Sequence, residues 1–111
     1  MEIDTSNVEG KFVTVRLDGR LNMVAAPRLK SEIEAVVEAG ATHVLVDLTA
    51  VPFMDSSGLG ALIAALKKAR QAHGDLRIAG ANEQVITVLK LTNLDRVLRP
   101  YDTVEEASDG W

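Results

Sequence analysis

The chain contains no cysteine, so disulfides, thiolate metal sites and thiol nucleophiles are all excluded. Aromatic residues are scarce, at 4% of the chain, and there are only two histidines, His43 and His73. No apolar run approaches the roughly 18 residues that a membrane span needs, and the opening "MEIDTSNVEG" lacks the pattern of a secretory signal. Basic charge of the kind that follows nucleic acid is missing too. The net charge is −4, and Lys67, Lys68 and Arg70 form the one close basic group, where a helix C-terminus favours cations. These absences lead us to expect a cytoplasmic protein that neither inserts into a membrane nor binds nucleic acid.

What is present suits one soluble domain spanning 1–111, with 47% apolar and 25% charged residues. "FVTVRL" alternates, which places Val13, Val15 and Leu17 on one face of a strand. Asn7 and Gly10 bracket an expected turn, so "EIDTS" reads as a preceding strand paired as a hairpin. From Ala26 to Ala39, Leu29, Ile33, Val36 and Val37 recur at helical spacing, with Gly40 at the expected C-cap. "HVLVDL" is almost continuously apolar, as a central strand covered on its faces would be. The next helix carries Leu59, Leu62, Ile63, Leu66 and Ala69 on one stripe and closes on cations and Gly74. "LRIAG" reads as a strand, and "NEQVITVLKLTN" as a helix capped by Asn82 and Asn93. "RVLRPY" reads as a short edge strand, and Thr103 to Glu106 as the capping box of a short last helix. This order predicts an α/β fold: a mixed sheet of four or five strands with about four helices. Trp111 is expected to be an exposed tail residue, and Met23, Phe53 and Met54 to pack in the core or at its rim.

The segment "DSSGLG", Asp55 to Gly60, lies between the central strand and its helix. It fits no nucleophile elbow, because neither Ser56 nor Ser57 has glycine two places before it. "GLGALI" has Ile63 where a dinucleotide fingerprint needs glycine or alanine, and no Gly-Lys-Ser/Thr exists for a P-loop. Asp47 and Asp55 do not have the spacing of metal ligands. No catalytic residue, metal or cofactor is therefore expected, and a small hydrolase using Ser56 is the weakest reading. Asp55, Ser56 and Ser57 can each cap the helix, but one cap suffices. Two glycines in a first turn each cost about 1 kcal/mol relative to alanine. Capping alone and a bare surface for an approaching molecule thus both remain open.

Together with its flanks, "VPFMDSSGLGALIAALKKAR" resembles the phosphorylation-site segment of bacterial anti-sigma factor antagonists, the stand-alone STAS domains. "VRLDGRLNMVAAPRLKSEI" resembles that family's strand, turn and first helix, and "LRIAGANEQVITVLKLTNLDRVLRPYDTVEEA" its closing elements. The resemblance implies a STAS-like fold and a partner-switching cycle. The unphosphorylated antagonist binds an anti-sigma factor that is also a serine kinase, which releases the sigma factor. The kinase, using ATP and magnesium, then phosphorylates the antagonist, and a metal-dependent serine phosphatase restores it. The family's acceptor falls on Ser56, with Ser57 as the other hydroxyl of the turn. The implied partner surface comprises Arg20, Asn22, Met23, Asp55, Ser56, Ser57, Gly58, Leu59 and Gly60.

The sequence departs from the family at "GRLN", where Arg20 and Asn22 stand in place of two acids. Arg20 either pairs with a phosphate on Ser56, selects a different kinase, or is a plain surface arginine beside an Asn cap. The alternative function is a STAS interaction subunit without phosphorylation, serving a transporter complex or signalling scaffold.

Overall fold

The computed structural model describes residues 1–8 and 12–111, and the side chains of all of these except Asn7 and Val8. Five strands form one sheet in the order β1-β2-β3-β4-β5: Glu2–Val8, Phe12–Asp18, His43–Ala50, Asp75–Ala79 and Pro100–Tyr101. The β1–β2 pair is antiparallel, and the three other pairings are parallel. Among the described residues four helices are interleaved: α1 (Ala26–Glu38), α2 (Ser56–Gln71), α3 (Glu83–Leu91) and α4 (Val104–Ala107). This is the expected α/β mixed sheet. Asn7 and Val8 lie in β1, and Glu9 and Gly10 of the expected turn fall outside the described residues.

The alternation in β2 carries Val13, Val15 and Leu17 into the main core, where they meet Val44, Val46 and Leu48 of β3. Leu29, Ile33 and Val37 of α1 and Leu62, Leu66 and Ala69 of α2 cover them. Leu45, on the opposite face of β3, joins a second cluster with Ala79 and Ala107. A strand clad on both faces must be apolar at successive positions, which is why "HVLVDL" reads as a continuous run.

Several particulars differ from expectation. Trp111 packs on the second cluster, 5.9 Å from the Phe12 ring and 5.2 Å from the His43 ring, with the Arg77 guanidinium 4.4 Å from its centroid. A tail aromatic covers the apolar ground that the short α4 leaves open. The last strand is only Pro100–Tyr101, because the chain turns through Arg96 to Leu98 before it reaches β4. After α2 the left-handed residue is His73 (φ 65°), one position before the expected glycine. Gly74 answers a different need: a Cβ there would lie 2.0 Å from the Thr42 carbonyl oxygen.

Among the described residues no helix is long and apolar enough to cross a membrane.

Candidate functional site

The site forms where the starts of two helices meet beyond the C-terminal end of β3. Chain leaving β3 passes Val51 to Met54 and reaches Asp55, the N-cap of α2. Chain leaving β2 turns through Gly19 to Asn22 toward α1. Asn22 Oδ1 accepts the amides of Val24 (3.1 Å) and Ala25 (3.2 Å), which stabilises that turn; Asn22 is not the helix cap expected of it, because the N-cap of α1 is Ala25, with no side-chain cap.

Leu21 joins the two segments. Its amide donates to the Phe53 carbonyl (2.9 Å), and its own carbonyl accepts from the Asp55 amide (3.2 Å). Asp55 adds a second tie. Its Oδ1 accepts from the Gly58 amide (2.9 Å) and its Oδ2 from the Met23 amide (3.1 Å). One carboxylate therefore caps α2 and holds the α1 turn against it. Ionised acceptors make the stronger class of hydrogen bond, so the two helix starts are fixed relative to each other.

Gly58 has an intramolecular reason. A Cβ at that position would lie 2.3 Å from the Leu21 carbonyl oxygen, so only glycine lets α2 rest on this strand extension. Gly60 differs: it is exposed, and a Cβ there would meet nothing within 4 Å. Of the two glycines, only Gly60 is left over for a bare outer surface.

Ser56 is exposed as the first residue of α2, and Ser57 is half-buried. Among the described residues neither serine hydroxyl has a hydrogen-bond partner. The Gly58 amide is taken by the Asp55 side chain, and the Leu59 amide by the Asp55 carbonyl (3.0 Å). The Ser56 and Ser57 amides are thus the unsatisfied donors of the helix start.

Around this point stand Met23, 70% exposed, and Val24, 84% exposed. Met23 does not pack in the core or at its rim as expected, whereas Met54 is fully buried and Phe53 half-buried. Arg20 lies with its guanidinium 4.4 Å from the Phe53 ring centroid, so its charge is held at the rim by a cation–π contact. An open cavity of about 430 Å³ adjoins the turn, lined by Met1, Arg20, Asn22, Val24, Ala25 and Arg28. Leu59 is buried in the main core, so a partner at this surface would meet its backbone but not its side chain.

Sequence reasoning missed Val24 and Gln84. Val24 carried a faint signal, an apolar residue outside the α1 stripe. Gln84 carried none, since glutamine in a first helical turn is ordinary. Its side chain brackets Met54, with Oε1 accepting the Met54 amide and Nε2 donating to the Met54 carbonyl, both at 2.9 Å. The loop that delivers Asp55 and Ser56 is thereby fixed from the α3 side.

Comparison with known proteins identifies the family and the fold. The STAS domain family matches residues 3–107. The anti-sigma-B factor antagonist of Staphylococcus aureus is 27% identical over 105 residues, covering 95% of this chain and 96% of its own. A crystal structure of an anti-sigma factor antagonist from Mycobacterium paratuberculosis superposes with a TM-score of 0.85 at 29% identity, covering 96% of this chain and 89% of its own. The fold is also that of the anti-sigma factor antagonist SpoIIAA in its unphosphorylated form, with a TM-score of 0.82 at 23% identity over 97% of this chain and 94% of that one. This chain belongs to the STAS domain family, and the relatives from Staphylococcus aureus and Mycobacterium paratuberculosis named above are anti-sigma factor antagonists.

Proposed function

We propose that the chain acts in the cytoplasm as a single-domain, non-enzymatic anti-sigma factor antagonist, switched by phosphorylation of Ser56. Unphosphorylated, it binds an anti-sigma factor serine kinase through the surface of Arg20, Asn22, Met23, Ser56, Ser57 and Gly60. Asp55, Gly58 and Leu59 hold that surface in shape. A metal-dependent serine phosphatase reverses the modification.

The observation that carries this reading is the division of labour at the start of α2. Asp55 does the capping, and Ser56 is left exposed with a free hydroxyl. Half-burial of Ser57 favours Ser56 as the acceptor.

A phosphoserine adds about −1.5 to −2 charge. The helix dipole favours it by roughly 0.3–1 kcal/mol, and adjacent Asp55 opposes it by a comparable amount in water. The isolated fold should barely respond. Against a docked partner the same dianion must shed water beside Asp55, at a cost of roughly 3–4 kcal/mol, which weakens binding several-hundred-fold. Arg20, held against Phe53 two residues before Asp55, adds positive charge where the family has an acid, so the switch should be softer than one flanked by acids.

Peptide mapping by mass spectrometry of the protein from its own cells, growing and stressed, tests this directly. A single phosphate on Ser56 whose occupancy changes with conditions is the expected result. No phosphate under any condition would overturn the switch and favour an interaction subunit without phospho-control.

A further inference from the structure

At the opposite end of the sheet from Ser56, the first half of β4 has, among the described residues, no strand partner on its outer side. All five β4 residues pair with β3, but only Ile78 and Ala79 pair with β5. A small polar cleft of about 180 Å³ opens along this unpaired stretch. Arg70, Arg77, Arg96 and Arg99 line it, with Asp75 as the one carboxylate among the lining residues. Four of the chain's twelve Lys and Arg therefore converge on one cleft of a protein whose net charge is −4.

Two of these arginines are fixed in place. Arg77 Nη1 donates to the carbonyls of Ala107 (2.8 Å) and Asp109 (3.1 Å), and its guanidinium lies over the Trp111 ring. Arg70 is paired with Asp75 at 3.4 Å. Arg96 and Arg99 are exposed and, among the described residues, have no carboxylate within ion-pair distance. Their charges are uncompensated beside a preorganised third.

We propose that this cleft binds a compact multivalent oxyanion of the phosphate or diphosphate class. Planar guanidinium forks match tetrahedral oxyanions bidentately, and several converging on a small polar cleft select charge density over length. The open edge of β4 is only Asp75 to Arg77, too short for an added strand to hold an acidic peptide. The Tyr101 ring is approached by both Arg77 (5.8 Å) and Arg99 (5.7 Å), which leaves it poorly placed to stack a nucleotide base. The inference does not depend on Ser56, since the cleft flanks the start of β4 whereas the serine follows the end of the parallel β3.

The test is a titration of the isotope-labelled full chain with sodium diphosphate, followed by amide chemical shifts at ionic strength held constant with sodium chloride. Saturable shifts confined to residues 75–77 and 96–101 are expected. The double variant Arg96→Ala/Arg99→Ala should weaken binding by about tenfold or more, with amides around Ser56 unmoved as the check on folding. ADP run in parallel separates the sources. Affinity equal to that of diphosphate means the free anion is recognised, and tighter binding means a nucleotide supplies it. Shifts that fail to saturate, that survive unchanged in the double variant, or that saturate only with an oligoglutamate peptide would overturn the proposal.

Discussion

Helices α2 and α3 each follow a parallel strand and each start on an Asx cap, yet their polar residues have opposite fates. In α3, Asn82 caps through Oδ1 to the Val85 amide (2.9 Å), and its Nδ2 reaches the Pro52 carbonyl (3.1 Å). Gln84 spends both ends of its amide on Met54. The polar side chains that face the loop are absorbed by the scaffold. In α2 the cap alone is absorbed, because Asp55 holds both Gly58 and Met23, and the two serines are bound to nothing among the described residues. A cap cluster before a helix does not by itself indicate function. The hydroxyls left over after the capping needs are met are the groups the proposed switch would use.

Substitutions at both helices test this contrast. The largest effect is expected from Gly58→Ala, whose methyl would overlap the Leu21 carbonyl. A loss of about 2–3 kcal/mol in chemical denaturation is anticipated. Gly60→Ala, which meets no neighbour, should instead raise stability by about 1 kcal/mol through helix propensity. Equal effects at the two glycines would mean that the Leu21 contact does not constrain α2. Next comes Gln84→Leu, which strands the Met54 amide and carbonyl and should cost about 1–3 kcal/mol in the same measurement. A neutral result would show that the α3 side does not brace the loop. The smallest stability change is expected at Ser56→Ala, within about 0.5 kcal/mol of the parent, since the hydroxyl supports nothing in the fold. Phosphate incorporation should nevertheless vanish. A clearly destabilised variant would return Ser56 to the scaffold and erase the difference between the two helices.

Much of this was legible in the sequence because it rests on local rules. Period-two alternation located β2, helical stripes located α1 and α2, and Asn82 and Thr103 marked helix starts that their side chains do cap. The "DSSGLG" motif also marked the helix start at which Ser56 stands exposed. The reason for its first glycine was not legible. Gly58 suggested an approachable surface, but its need for a bare Cα comes from Leu21, on a strand extension far away in sequence. The burial of Trp111 and the starting point of the short β5 differ from expectation for the same kind of reason. Whether a terminal tryptophan finds cover depends on how much apolar ground α4 leaves open.

Periodicity, caps and turn residues act over a few positions, so the sequence alone determined the order of elements, the apolar face of each and the segment that carries the exposed hydroxyls. Which polar groups are consumed by the scaffold and which remain free depends on partners brought together across the chain. The ties of Met23 to Asp55, of Gln84 to Met54, and of Arg77 to Ala107 close only when the sheet has formed. Tertiary structure therefore decided that Ser56 stands unoccupied, and that four arginines gather where β5 is too short to cover β4.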